Sequence, residues 1–119
     1  MNDPRGLAPD GWHIPSDSEW KTLTTYLGGE KVAGPKMKSN YGWVESGYSN
    51  NTSGFTALPG GYRNFSNGLF FDLGSDGNWW CSSEIDNNIA RSRTLYIGYI
   101  DRDYDGKKGN GYSVRCVKN

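Results

Sequence analysis

The sequence predicts an α+β domain with one early helix followed by short antiparallel strands. Three observations predict it. A complete helix-start signal stands in the first quarter of the chain, short apolar runs separated by turn residues fill the rest, and the composition favours rings and glycine over aliphatic residues. With 34% hydrophobic residues, 14% aromatic residues and 17 glycines, the core must be built from a few large side chains joined by tight turns. A helix followed by a run of strands is an α+β pattern, and the glycine content makes it loop-rich.

The helix comes first. Ser16-Asp-Ser-Glu19 is a capping box, in which the Ser16 hydroxyl accepts the Glu19 N–H and the Glu19 carboxylate accepts the Ser16 N–H. A helix therefore begins at Asp17, with Trp20, Leu23, Thr24 and Leu27 on one face, and Gly28-Gly29 supplies the positive φ angles that end it. A shorter helical turn is expected over 30–33 and is broken at Gly34-Pro35, because the residue before proline is pushed out of the helical region. Residues 40–53 are mostly Tyr, Gly, Ser and Asn and read as an irregular surface excursion anchored by Trp43. Strands are expected at 68–73, 78–83, 91–100 and 112–117, with Asp76-Gly77 and Asp105-Gly106 as turn signals. In the last strand Tyr112, Val114 and Cys116 share one face, and Ser113, Arg115 and Val117 the other. No period of about 20 to 50 residues recurs, which excludes a repeat array.

A chain of 119 residues fits a single domain over 1–119, burying roughly two-thirds of its extended surface. Lys plus Arg equals Asp plus Glu at 13 each, so the broad positive field of a nucleic-acid or anionic-membrane binder is missing. No stretch approaches the ~20 apolar residues of a membrane span, and the first residues lack the pattern of a signal peptide. Either the protein is cytosolic or a leader has been trimmed.

Four segments stand in fixed order: Asp10-Gly-Trp-His-Ile-Pro-Ser-Asp-Ser-Glu-Trp20, Gly54-Phe-Thr-Ala-Leu-Pro-Gly-Gly-Tyr-Arg63, Asn78-Trp-Trp-Cys-Ser-Ser-Glu84 and Gly111-Tyr-Ser-Val-Arg-Cys-Val117. Together they resemble the Fibrobacter succinogenes major paralogous domain, and the resemblance covers 7–119. It implies a C-type-lectin-like fold, related to the formylglycine-generating enzymes, in which the chain ends lie together. It also implies an extracellular or cell-surface bacterial protein. Family members usually carry further sequence before the Gly-Trp-x-x-Pro segment, so the chain is expected to be a processed or excised version lacking its N-terminal segment. Relatives also read Cys-Pro-x-Gly-Trp there, and that cysteine is a natural partner for the one in Ser-Val-Arg-Cys. Here the position is Ala8, which leaves Cys116 either reduced or bonded to Cys81. A loop of that length would contribute about 3 to 4 kcal/mol.

The resemblance brings an enzyme reading with it, because the formylglycine-generating enzymes hold copper with a cysteine pair and related sulfoxide synthases hold iron with several histidines. This chain has one histidine, His13, and two cysteines. A three-histidine site is impossible within it. His13, beside the helix start, reads as a structural ring, and Cys81 as a small apolar filler. No Gly-x-Ser-x-Gly elbow or phosphate-cradling loop is present. Asp101, Asp103 and Asp105 with Gly106 match the opening of a calcium loop, but the closing glutamate is replaced by Tyr112 and two lysines follow. Two readings stay open there: a calcium site, or a hairpin tip whose aspartates face water. The lectin signatures Glu-Pro-Asn and Trp-Asn-Asp are absent.

A binding reading rests on Asn87, Asn88, Arg91, Arg93, Tyr96, Tyr99, Arg102 and Tyr104, which interleave rings with hydrogen-bonding side chains. The expectation is a noncatalytic recognition module with no resident cofactor, taking a surface glycan or a protein as ligand. The same region resembles the diversified face of variable proteins from diversity-generating retroelements. A degenerate oxidase is the alternative outside the binding class. Trp12, Trp20, Phe55, Leu58, Trp79, Trp80 and Val114 read as scaffold, with Glu19, Glu84, Arg63 and Arg115 expected in internal pairs or bonds to loop carbonyls.

Overall fold

The computed structural model describes residues 6–119, except for the side chains of Ser46, Asp103, Tyr104 and Asp105. The architecture is α+β, with two helices and three small antiparallel sheets. Strand β1 (Trp12–His13) leads into helix α1 (Asp17–Tyr26), and α2 (Glu30–Met37) follows. A 3-10 turn at Ser46–Tyr48 interrupts a long irregular segment. Then come β2 (Tyr62–Arg63), β3 (Phe70–Phe71), β4 (Gly77–Glu84), β5 (Ile89–Tyr96), β6 (Tyr99–Lys107) and β7 (Val117–Lys118). The sheets are β4-β5-β6, β2-β3 and β1-β7, the last joining the two ends of the described chain. Among the described residues no helix is long and apolar enough to cross a membrane.

Helix α1 forms as its sequence dictates. Ser16 Oγ accepts the Glu19 N–H at 3.3 Å and Glu19 Oε2 accepts the Ser16 N–H at 2.8 Å, completing the capping box. Gly28 (φ 110°) and Gly29 (φ 96°) end the helix, and Lys36 Nζ caps it by donating to the Leu27 carbonyl at 2.8 Å, where a cation also suits the helix dipole. The buried face carries Trp20 and Thr24. Trp20 meets Phe55 at 5.8 Å between centroids, and Phe55 meets Trp79 edge-on at 6.2 Å. This ring stack joins α1 to β4. Around it lie Leu27, Ala33, Met37, Trp43, Ala57, Cys81, Leu95 and Ile100, all buried. Truncating one such tryptophan costs about 3 to 5 kcal/mol.

Four local expectations are corrected. Helix α2 runs through Gly34 and Pro35 to Met37, because loop contacts hold its last turn. Loop donors Asn50, Ser53 and Ala57 satisfy the carbonyls of Pro35, Lys36 and Met37 at 2.9 to 3.0 Å. Gly34 lets the helix press onto β6, since a Cβ there would lie 2.6 Å from the Tyr99 backbone. The run 91–100 is two strands, not one, folded back at Ile97–Gly98 with Tyr96 opposite Tyr99. Asp105-Gly106 is no turn: it lies inside β6, beside the register shift between Ala90 and Ser92. A Cβ on Gly106 would meet the Ala90 carbonyl at 2.6 Å, so this glycine permits close strand approach. Asp76-Gly77 likewise leads straight into β4, and the turn stands at residues 73–75.

The segments 68–73 and 112–117 are shorter as strands than their patterns suggest. Only Phe70–Phe71 and Val117–Lys118 are in strands, and single bridges tie Gly111 to Arg63 and Ser113 to Trp79. The period-two alternation of 112–117 nevertheless holds, with Tyr112, Val114 and Cys116 less exposed than Ser113, Arg115 and Val117. Trp43 anchors the 40–53 excursion as expected, its Nε1 donating to the Ala57 carbonyl at 3.1 Å. Cys81 and Cys116 are free thiols, so the bridge between them is not made.

Candidate functional site

Strand geometry divides the residues 87–104. Asn87 and Asn88 are exposed at the β4–β5 turn, where Asp86 Oδ1 accepts the Asn88 N–H at 2.7 Å. Tyr96 and Tyr99 stand at the opposite end of the eight-residue strand β5, about 25 Å away at ~3.3 Å per residue. One sugar-sized ligand cannot touch both pairs. Alternation separates them again. Arg93 is opposite Trp79 and Arg102 and shares the inner face with Leu95 and Ile100, whereas Tyr96 and Tyr99 belong to the outer face.

Three arginines of the expected binding face converge on Asp17. Arg93 Nη2 reaches Asp17 Oδ1 at 2.8 Å, Arg102 forms a two-pronged pair with the same carboxylate, and Arg91 Nε lies 3.9 Å from Oδ2. Arg93 is 3% exposed, so it is removed from the ligand face: it clamps the start of α1 to β5. Burial alone would raise the Asp17 pKa, but bonds from Arg102 and Arg93 outweigh it and the carboxyl is held below its ordinary value. The side chains of Tyr104, Asp103 and Asp105 lie outside the described residues. Asp101 is exposed, and its Oδ1 accepts its neighbour's Arg102 N–H at 2.7 Å. Residues 101–106 are part of strand β6, which corrects the loop and hairpin-tip readings alike, since a cation-wrapping loop must curl back on itself. Among the described residues no three of His, Cys, Asp or Glu group as metal ligands.

What the fold does build is a cleft at the Tyr96 end, of about 200 Å³, lined by Lys38, Trp43, Val44, Glu45, Ser75, Asp76, Tyr96 and Ile97. Three loops converge to make it. The Lys38↔Ala57 bridge fixes the strand-like exit from α2, the Val44 N–H bonds the Gly74 carbonyl at 2.8 Å, and the β5–β6 turn closes the third side. Lys38 is 1% exposed. Its Nζ donates to the Ile97 carbonyl at 2.8 Å and lies 4.1 Å from the Trp43 ring centroid. Burial lowers the Lys38 pKa, with Asp76 and Glu45 opposing it, and burial raises that of Asp76, helped by Asp72. Tyr96 donates its hydroxyl hydrogen to the Tyr99 hydroxyl, with the rings 4.3 Å apart. Burial, then this contact, pushes the Tyr96 phenol up.

Of the residues singled out from sequence, this cleft gathers Tyr96, with Tyr99 packed behind it. Lys38 and Asp76 were missed as site residues. Nothing local marks Lys38 as buried, because its amine is taken by the carbonyl of Ile97, distant in sequence, and the Trp43 ring reaches it only where the irregular excursion folds back. Asp76 was visible only as half of an Asp-Gly turn signal. The expected internal roles of Glu19 and Glu84 are met: Glu19 pairs with His13 at 2.7 Å and Glu84 with Lys108 at 3.0 Å. Arg115 instead lies over the Phe55 ring, 4.5 Å from its centroid.

The sequence pattern of the Fibrobacter succinogenes major domain matches residues 1–118. The chain belongs to this family. No curated protein and no solved structure matches the chain. Of the scaffold residues expected in the four segments of this Fibrobacter succinogenes major domain, Trp20 and Trp79 are buried and Trp80 stacks on Tyr112 at 4.4 Å, whereas Leu58 is 49% exposed. Trp12 is 45% exposed, on the short β1-β7 ribbon. The cleft is built by segments outside the four.

Proposed function

We propose that the protein is a noncatalytic recognition module of the bacterial cell surface or exterior, and that its cleft takes one residue of a glycan. The single observation that carries this reading is the composition of the cleft: ring surface from Trp43 and Tyr96 beside the Asp76 and Glu45 carboxylates, the Ser75 hydroxyl and the Lys38 ammonium, within about 200 Å³. Rings pack against the C–H faces of a sugar, while carboxylates and hydroxyls fix its OH groups. The volume is below the roughly 300–1,000 Å³ of drug-sized sites, which suits one sugar unit of a longer chain. A C-type-lectin-like arrangement is part of the same proposal, supported by the pairing of β1 with β7 at the two chain ends.

The chemistry of Cys81 and of the imidazole favours binding over oxidation. Cys81 is buried, and burial pushes its thiol up to about 11, opposite to what a metal-holding thiolate needs. Both ring nitrogens of His13 are taken, by Glu19 and Asn119 at 2.7 Å each.

A protein ligand is the second reading, as for a variable protein of a diversity-generating retroelement. The exposed Leu69, Phe70 and Leu73 around β3, and Ile97 at the β5–β6 turn, favour it. A glycan panel screened with and without calcium, followed by Tyr96→Ala and Asp76→Asn, tests the glycan reading. Each substitution is expected to weaken the best ligand at least about tenfold, or ~1.4 kcal/mol. Unchanged affinity in both folded variants rules out the cleft, and silence across the panel turns the search to protein ligands.

A further inference from the structure

A second concavity, sharing no residue with the glycan cleft, runs between α1 and the C-terminal segment. It encloses about 480 Å³ and is walled by Pro15, Trp20, Leu23, Phe55 and Val117, with Arg115 at its rim. That volume falls within the range of small-molecule sites. Its walls are almost wholly apolar, and one cation at the rim is uncommitted. The Arg115 guanidinium lies over the Phe55 ring and, among the described residues, makes no hydrogen bond or ion pair. Trp20 lines the groove with its ring, while its Nε1–H is sealed from solvent and meets no acceptor. The acid nearby is already engaged: Glu19 is held by Ser16 and His13. Among the described residues, the charged group of the groove that is left without a protein partner is therefore Arg115, a donor.

We propose that this groove binds a small amphiphilic carboxylate, its apolar tail along Leu23, Phe55 and Val117 and its carboxylate on Arg115. An apolar occupant alone would leave the Arg115 charge without a partner, and a cationic one would meet it as a like charge. A carboxylate supplies the acceptor and the charge together, and the planar fork of arginine matches its two oxygens.

The test uses the whole protein, labelled with nitrogen-15, titrated with decanoate below its micelle-forming concentration and separately with decanol. Decanoate is expected to saturate the groove and shift the Trp20 indole N–H signal. Decanol, and decanoate with the Arg115→Gln variant, are expected to bind about three- to fivefold more weakly, with Arg115→Lys between Gln and the unaltered protein because it keeps the charge and loses the fork. Decanol binding as tightly as decanoate would overturn the proposal, as would an unmoved Trp20 signal at saturation or no binding at all. Concentration-dependent self-association that protects the groove would overturn it too, by assigning the face to a second copy. Should Arg115→Gln fail to fold, the comparison of decanoate with decanol on the unaltered protein decides the matter.

Discussion

Asp17→Asn removes a charge while keeping shape, and the structure sets the size of the effect. The Asp17 side chain is 17% exposed and that of Arg93 only 3%. Among the described residues Asp17 provides the only carboxylate on Arg93, whose other partners are the Ser92 and Asp17 carbonyls at 3.0 and 3.1 Å and the Cys81 sulfur at 3.7 Å. Breaking a buried pair from one side costs about 3 to 5 kcal/mol, and the surviving carbonyl bonds put this case near about 3. For a domain of this size that is a fall in Tm of roughly 10 to 15 °C. The sign with pH follows from the depressed Asp17 pKa. Its stabilisation is complete above the ordinary carboxyl value of 3.8 and is lost as pH falls through the lower folded value. Thermal melts of both proteins between pH 2 and 7 should therefore converge at the acid end. Replacing Asp17→Asn together with Arg93→Met should recover part of the loss, because the most deeply buried cation is then gone while Arg91 and Arg102 still lose the Asp17 carboxylate. A single-variant loss below about 1 kcal/mol would refute the reasoning.

Gly34→Ala should destabilise by about 1 to 3 kcal/mol in denaturant unfolding, although alanine is the better helix former by ~1 kcal/mol, because its Cβ would strike the β6 backbone; a stabilised variant would deny the close approach of α2. The His13 pKa is raised by its bonds to Asn119 and Glu19, and Glu19 is lowered to about 2 by Ser16 and His13. The histidine's contribution is complete below 6.5 and lost as pH rises through the folded value, and the glutamate's is complete above 4.5 and lost toward about 2. Stability from this staple should thus peak between those limits, and His13→Ala should flatten the Tm profile above it; an unchanged profile would remove His13 from the account.

The sequence by itself determined the elements whose causes are local. The capping box and the Gly28-Gly29 stop carry their own hydrogen bonds and φ angles, so α1 was legible with its start and finish. The alternation of 112–117 survives although few of those residues are in a strand, because side chains alternate in any extended segment. The family was legible because its glycine and tryptophan segments are contiguous. Alternation along 89–96 could have placed Arg93 with Leu95 on the buried face, had the strand been bounded correctly at Tyr96.

Tertiary structure decided the rest, for one physical reason: the groups that satisfy or cover a residue come from far along the chain. Pro35 stays helical because donors from 50–57 take the carbonyls around it. Gly106 reads as a turn but serves the packing of β6 against Ala90 and Trp80. Lys38 looks like any surface lysine until Trp43 and Ile97 close over it. The cleft is the meeting of three loops and the groove the meeting of a helix with the last segment. Neither has a sequence period, because each is made by contacts that only the assembled fold brings together.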